Sequence, residues 1–486
     1  MSMPKLQTDP TTDKGYRRFQ SKRREFWNRL AGDGWKPPAS RYYHRRLAEV
    51  YRFLVPAGQS VLELGSGSGD LLAALNPSRG LGIDFAEATI ANAQSRHPNL
   101  EFRCADVHEL DLDETFDVIV LSDLVNDIWD VELVLKKVAA FSTPETRVII
   151  NSFNRLWQAP IAMGRAFRLI APVLKQNWLS RQDLENLLGL ADMEVISTTG
   201  EILWPVRLPI IDAFFNKFLV KLWPFNRLAL TTFAVARLKS APTETSGDRT
   251  VSVIVPARNE AGNIDAILER TPKMGDRTEL IFVEGNSTDD TLAVIKRAVT
   301  ERDDPNIRFY QQPGSGKGDA VRFGYQHATG EILMILDADM TVAPEDLPRF
   351  YHAIIDGKGE FINGVRLVYP MEDEAMQFLN YLGNKFFGVV FSWLLRQPVK
   401  DTLCGTKVLT RRSYDVIAAN RSYFGDFDPF GDFDLLFGAA KINLKILDMP
   451  IRYRDREYGS TNIDRWRHGV VLLRMATFAV RRLKLV

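Results

Sequence analysis

Five apolar runs, Ser60–Leu64, Gly80–Asp84, Leu100–Cys104, Phe116–Leu121 and Arg147–Ser152, punctuate the first half of the chain. Between them lie helix-patterned segments, one beginning at Asp70–Leu75 and another at Thr89–Arg96. Near-continuous apolar strands alternating with helices predict a parallel, doubly wound sheet covered on both faces. Residues 1 to about 55 read as a polar tail followed by a basic, aromatic helical stretch ending near Phe53. The run Lys239–Asp248 is polar and unpatterned, which predicts a linker. The rhythm then restarts with strands at Thr250–Val255, Glu279–Glu284, Ile307–Gln311 and Glu331–Leu336. The prediction is an α/β protein of two domains, residues 1–238 and 250–486, joined by 239–249 and without an internal repeat.

A length of 486 residues agrees with two cores rather than one. A formal net charge of +1 argues against nucleic acid as a partner. Two cysteines, Cys104 and Cys404, exclude a disulfide framework and a CxxC metal site, and no His pair has metal-ligand spacing. The first residues lack the apolar core of a signal peptide, and no uncharged apolar run reaches the ~18 residues that span a bilayer. The expected location is therefore cytoplasmic.

The first strand ends in Gly65-Ser66-Gly67-Ser68-Gly69, directly before a helix. Glycines there permit a tight turn and close backbone approach to a ligand. Alone, such a turn equally suits a dinucleotide or plain packing. Glu63 within the strand, with Asp84 and Asp106 closing the next two strands, sharpens the picture, since an acid about twenty residues on suits ribose hydroxyls. Together these residues resemble the class I S-adenosylmethionine-dependent methyltransferases over roughly residues 40 to 238. The resemblance implies a Rossmann-like fold with a closing antiparallel pair, Met193–Gly200 and Leu228–Leu238. It implies S-adenosylmethionine held by Glu63, Gly65, Gly67 and Gly69, with Asp84 on the ribose and Asp106 at the adenine edge. Ser122 and Asp123 would line the pocket. His108 and Asp127 are candidate bases.

The second half carries Pro256-Ala257-Arg258-Asn259-Glu260 after its first strand and Glu284-Gly285-Asn286-Ser287 after its second. Gly316-Lys317-Gly318 precedes the strand that ends in Asp337-Ala338-Asp339. Asp401-Thr402-Leu403-Cys404-Gly405-Thr406-Lys407, Phe433-Asp434 and Tyr458-Gly459-Ser460-Thr461 follow. Carboxylates two apart on a strand share a face, and such a pair suits a hard divalent cation gripping a diphosphate. Lys317 does not belong to an ATP-binding loop, because Gln311 and Gly318 stand where that motif needs Gly and Ser or Thr.

In this order the motifs resemble family 2 glycosyltransferases of the GT-A fold, and within them the dolichyl- or polyprenyl-phosphate sugar transferases. The resemblance implies an inverting transfer with Mg2+ or Mn2+ at Asp337 and Asp339. It places the nucleotide sugar, UDP- or GDP-linked, against Pro256, Arg258, Glu260, Glu284, Ser287, Lys317 and Asp337. Asp401 is the first choice for an orienting or basic carboxylate and Asp434 the second, the alternative for either being to cap a helix or support the fold, while Lys317 would stabilise the departing diphosphate. Arg456 and Ser460 are candidates to meet an acceptor phosphate. Gly285 stands where many relatives carry a second acid, which leaves the nucleotide open. The acceptor is a polyprenyl phosphate or, alternatively, a growing glycan, and a degenerate nucleotide-sugar-binding scaffold is the rival outside enzymes. Phe386–Leu395 and the basic, apolar stretch Arg465–Val486 suit helices lying at a bilayer surface, with Leu203–Leu222 ambiguous in the same way. The expectation is a bifunctional enzyme, peripheral at the inner face of the membrane, whose methyl group lands on a linked saccharide or lipid product.

Overall fold

The computed structural model describes residues 14–33, 38–166, 174–239, 249–366, 368, 378–421, 433–452, 458 and 465–485. The chain divides into two compact units, Met1–Lys239 with Lys484–Val486, and Ser240–Leu483. The expected linker falls almost wholly on residues 240–248, outside the described residues.

The first unit opens with two helices, α1 (Lys14–Asp33) and α2 (Pro38–Leu54), rather than one. α2 opens on Pro38, and proline suits the first turn of a helix. Seven strands follow: β1 (Ser60–Leu64), β2 (Arg79–Asp84), β3 (Glu101–Cys104), β4 (Val118–Ser122), β5 (Arg147–Phe153), β6 (Met193–Glu201) and β7 (Thr231–Leu238). Their order is β3-β2-β1-β4-β5-β7-β6, with β7 antiparallel to both neighbours and the others parallel. Leu62, Leu64 and Ile119 belong to the apolar layer on one side of this sheet, and Val61, Val118 and Val120 to the layer on the other. That is why β1 and β4 read as continuous apolar runs rather than alternating ones.

The second unit also has a seven-stranded sheet: β8 (Val251–Ala257), β9 (Thr278–Glu284), β10 (Ile307–Gln311), β11 (Ile332–Ile335), β12 (Phe361–Val365), β13 (Lys407–Thr410) and β14 (Ile446–Pro450). The order is β10-β9-β8-β11-β13-β12-β14, and β13 runs antiparallel to β11 and β12. The last three strands were not legible as strands. They are short and place Asn363, Lys407 and Asp448 among their apolar residues, so no periodic signal stands out. β11 stops at Ile335, so Asp337 and Asp339 lie in the turn beyond it rather than on the strand. Buried Ala338 between them still leaves both carboxylates on the outer side.

Helix Lys317–His327 lies on β8 and β9 at a distance set by Gly324. A Cβ there would stand 2.5 Å from Ile254 Cγ2 and 3.1 Å from Val283 Cγ2. Gly324→Leu is expected to destabilise the second unit by about 1–3 kcal/mol through overpacking, read as a lower midpoint in urea unfolding. An unchanged midpoint would mean that the helix is not held that close.

Candidate active sites

In a parallel sheet every strand delivers its carboxyl end to the same edge, so the loops after β1, β2, β3 and β4 meet there. After β1 the glycines Gly65, Gly67 and Gly69 adopt φ of +74°, +52° and +73°. A Cβ on Gly65 would come 2.9 Å from Leu124 Cδ1, and one on Gly69 would come 2.5 Å from Phe102 Cζ. Gly67 differs, because a Cβ there would meet nothing within 4 Å. Its side of the turn is open, as a surface for a close-lying ligand must be.

Glu63 sits beneath the turn. It is buried and its Oε2 accepts from Leu72 N at 3.0 Å, while burial pushes its pKa well above the carboxylate range. It therefore braces the helix that follows the turn. Asp84 accepts from Gly67 N through Oδ2 and from Ala86 N through Oδ1, each at 3.0 Å. Burial raises its pKa against the pull of those two N–H groups. Ser122 ends β4 and is half-buried. Beside it Asp123, at φ +56°, accepts from Tyr43 Oη at 2.8 Å and from Asn151 Nδ2 at 2.5 Å. Burial lifts the Asp123 carboxyl to about 6.

Sequence reasoning placed a helical stretch here but gave α1 no part in the site. Tyr16 Oη and Gln20 Nε2 donate to Asp106 Oδ2 at 2.6 and 2.7 Å, so the carboxylate expected to face adenine receives this helix. Burial would raise the Asp106 pKa, but the bonds from His108 and Tyr16 outweigh it and lower the value. Arg23 Nε and Trp27 Nε1 both lie 2.9 Å from Asp127. Positions 16, 20, 23 and 27 share one helix face, and that spacing was the available signal.

The two candidate bases are both committed elsewhere. His108 is buried, its Nε2 accepts from Asp130 N at 3.2 Å, and its Nδ1 therefore carries the proton it gives Asp106 Oδ1 at 2.8 Å. Asp127 is tied to Arg23 and Trp27. Neither is arranged to take a proton from an acceptor.

In the second unit the loops after β8 and β9 are stitched together. Asn259 N donates to Ser287 Oγ at 3.0 Å, Thr288 N to Asn259 Oδ1 at 2.8 Å, and Glu260 N to Thr291 Oγ1 at 2.8 Å. Glu260 accepts from Asn263 Nδ2 at 2.8 Å, and buried Glu284 accepts from Ser287 N at 2.6 Å. Pro256 is half-buried near the end of β8, and Arg258 is exposed beyond it. A Cβ on Gly285 would stand 3.2 Å from Arg258 Cβ and 3.4 Å from Ala257 O, so a larger residue there needs the first loop to yield.

Three separate motifs meet at one point. Lys317 Nζ, on the first residue of its helix, lies 2.7 Å from Asp337 Oδ1. Gly405 packs against the pair so closely that a Cβ would collide with both Asp337 Oδ2 and Lys317 Nζ. Asp339 Oδ1 accepts from Thr341 N and Oγ1 at 3.2 and 2.8 Å. Tyr458 returns to this rim and covers Gly262, where a Cβ would stand 2.6 Å from its Cδ2. Arg456 and Ser460 lie outside the described residues. Among the described residues no cluster of three or more His, Cys, Asp or Glu is placed to hold a metal.

Asp401 is fully buried and saturated. Arg366 Nε and NH2 hold its two oxygens at 2.7 and 2.9 Å, and the backbone N–H groups of Arg366, Leu403 and Cys404 add 3.1, 3.0 and 3.2 Å contacts. Burial would raise its pKa, but the Arg366 charge and these bonds outweigh it and lower the value. Of the roles open to Asp401, as an orienting carboxylate, a basic one or simply a support of the fold, this geometry argues against the basic role. Asp434 faces two guanidinium groups, Arg421 Nε at 3.2 Å and Arg322 NH1 at 3.8 Å.

Comparison with known proteins follows the same division. Residues 56–188 match the family described as a methyltransferase domain, and residues 252–416 match glycosyl transferase family 2. Glycosyltransferase AglJ of Haloferax volcanii is 29% identical over 224 residues, covering 46% of this chain and 69% of that protein. A dolichyl-phosphate beta-glucosyltransferase of Trichomonas vaginalis is 26% identical, covering 42% of this chain and 63% of its own. An undecaprenyl-phosphate 4-deoxy-4-formamido-L-arabinose transferase of Shewanella sediminis is 29% identical over 102 residues, 20% of this chain and 31% of that protein. The chain thus spans about two thirds of the first of these relatives and about a third of the last. Among solved structures, magnesium protoporphyrin IX methyltransferase of Synechocystis with bound SAH matches at TM-score 0.33 and 17% identity, over 46% of this chain and all of that one. Glucosyl-3-phosphoglycerate synthase of Mycobacterium tuberculosis, with Mn2+ and UDP, matches at 0.36 and 18%, over 48% of this chain and 80% of that one.

Asp401→Asn is expected to leave the Arg366 charge buried without compensation and to cost about 3–5 kcal/mol at pH 7. Because the folded pKa of Asp401 is depressed, its contribution is present above the unfolded carboxyl pKa of roughly 3.9 and is lost as pH falls through the lower folded value. Urea unfolding should show the two proteins converging only in that acid range, and a gap that persists unchanged there would refute the ion-pair account. Gly405→Ala is expected to keep the fold, because the colliding atoms end flexible side chains. It should weaken UDP or GDP binding about tenfold or more by parting a charged contact, read by calorimetric titration.

Proposed function

We propose, for a chain that joins a methyltransferase domain to a family 2 glycosyltransferase domain, that the second unit moves a sugar from a nucleotide sugar to a polyprenyl phosphate. The first unit, on this reading, methylates the saccharide or lipid so linked. The observation that carries the proposal is the Lys317–Asp337 pair held under Gly405, which gathers three distant motifs at one point beside the nucleotide rim. An ammonium that rests on one carboxylate can turn to a diphosphate as the leaving group takes up charge, and such a preplaced cation acts on the transition state.

Asp337 and Asp339 offer hard oxygen donors, and Asp337 already carries a cation in the form of the Lys317 ammonium, so the donor set fits Mg2+ or Mn2+. When bound there, the metal supplies neutralisation of the diphosphate. The remaining work belongs to the chain. Glu284 and Ser287 position the base and ribose, while Pro256, Arg258 and Glu260 shape the first loop around the nucleotide. Arg456 and Ser460 meet the acceptor phosphate. A lipid phosphate is already ionised near neutral pH and needs no strong base to attack the anomeric carbon, with inversion. The saturation of Asp401 supports an acceptor of this kind, because it leaves Asp401 to orient rather than to take a proton.

The open side of Gly67 and the carboxylate of Asp84 would hold S-adenosylmethionine, Asp84 through the ribose. No described helix is long and apolar enough to cross a membrane. Exposed Phe386 and Val389 on helix Phe378–Leu395, and Val470 and Leu473 on helix Arg465–Ala479, support a peripheral enzyme at the inner membrane face.

Radiolabelled sugar transfer to undecaprenyl phosphate in detergent tests the reading. Asp339→Ala is expected to lower turnover by about 100-fold, and EDTA to abolish it until Mg2+ or Mn2+ is restored. Full activity in EDTA removes the metal role, and efficient transfer to a soluble glycan with none to the lipid phosphate promotes the glycan-extending alternative. In the same preparation Asp84→Ala and Gly67→Val are each expected to abolish calorimetric binding of S-adenosylmethionine.

A further inference from the structure

The connection between β6 and β7 in the first unit has its polarity reversed. On residues 206–228 the large side chains turn outward, with Ile210 at 85%, Trp223 at 74%, Phe214 at 53% and Phe218 at 50% exposure. The side chains that turn inward are largely polar. Asn216 is buried, donating to Tyr42 Oη at 2.8 Å and Trp204 O at 2.7 Å and accepting from Leu203 N and Trp204 N at 2.7 and 2.8 Å. Lys221 pairs with buried Glu201, and Val220 fills the space beside them. A loosely attached loop would lack these anchors. This one is clamped from below and apolar on top.

Two further facts identify what covers it. Between Ile202 and Leu230 the chain carries four basic residues, Arg207, Lys217, Lys221 and Arg227, against one acid, Asp212. Arg207, Lys217 and Arg227 are exposed among the apolar side chains. The mixture of deeply inserting aromatics and a cationic fringe is complementary to an anionic bilayer surface rather than to the polar rim of an ordinary protein interface. The placement is the second fact. β6 ends at Glu201 and β7 begins at Thr231, which pairs with Phe153 at the end of β5. The connection therefore rises from the same carboxyl edge as the glycine turn. Tyr43 links the two, bonding to Asp123 at 2.8 Å and to Thr231 Oγ1 at 3.2 Å and stacking on Phe153 at 5.6 Å.

We propose that residues 206–228 form a bilayer-docking surface of the methyltransferase unit, seating Ile210, Phe214, Phe218 and Trp223 among the acyl chains of an anionic membrane. The carboxyl edge of the first sheet then opens toward the lipid. This surface belongs to the first unit by itself and does not depend on the identity of the sugar acceptor.

The test is sedimentation of the full chain with vesicles of phosphatidylcholine alone and of phosphatidylcholine with three-tenths phosphatidylglycerol. Wild type is expected to bind the anionic vesicles and to release as salt rises. Ile210→Glu with Trp223→Glu should weaken that binding about tenfold or more, and Arg207→Glu with Lys217→Glu should weaken it while flattening the salt dependence. Calorimetric binding of S-adenosylmethionine should be unchanged in both, which shows that the unit has folded. Phe386→Glu with Val389→Glu reports the second unit separately, so loss of binding there and not in the first pair overturns the proposal. Unchanged vesicle binding by the Ile210 and Trp223 variant also overturns it. So does a wild-type dimer that the same variant converts to monomer in sedimentation velocity, because the patch then belongs to a second copy.

Discussion

The candidate ligand loops of both units depend chiefly on strands running parallel with their carboxyl ends on one edge. The arrangement follows from burying both faces of a sheet under helices, which forces crossover connections and brings successive loops together. In the first unit that edge collects Gly65, Gly67 and Gly69 with Asp84, Asp106 and Asp123. In the second it collects the loops after β8 and β9 and the turn after β11. The one antiparallel strand of the second sheet that matters for the site, β13, follows directly on Gly405 and so delivers that residue to Asp337 from the opposite direction.

Burial divides the acidic residues into two kinds. Glu63, Glu284 and Asp401 are at most 2% exposed and spend their oxygens on backbone N–H groups or a guanidinium. An unpaired carboxylate at such depth would be too costly to keep, so their donors are part of the fold. Asp337 and Asp339 sit in a turn at partial exposure, where a cation can exchange for another cation or for a phosphate counter-charge. Asp123 lies between the two kinds, buried and held by Tyr43 and Asn151 with its carboxyl lifted to about 6. Scaffold and proposed chemistry thus use the same residue type, separated by depth.

Helix α1 changes what the first site presents. Its side chains Tyr16, Gln20, Arg23 and Trp27 occupy Asp106, marked by its strand-end position, and Asp127, a candidate base. The reversed polarity of residues 206–228 shows a similar limit. Their composition leaves open whether the apolar side packs or faces out, and the exposed Ile210 and Trp223 over a buried Asn216 decide it.

Local sequence determined what local physics controls. Apolar runs bounded by turn residues located β1 to β5 and β8 to β11 within about two residues, and the glycine turn announced its left-handed geometry because few other residues tolerate it. Motif order marked Lys317, Asp337 and Gly405 as belonging to one site. Tertiary structure alone decided which of the marked groups are spent. His108 and Asp401 look reactive as letters and are saturated by partners as far away as Asp130 and Arg366. Those partners come from other elements at long sequence separation, and a pattern read along the chain carries no information about which donors will fold onto a carboxylate. β12, β13 and β14 escaped for the same reason, since strands this short, with polar residues inside them, are defined by their neighbours in the sheet rather than by their own periodicity.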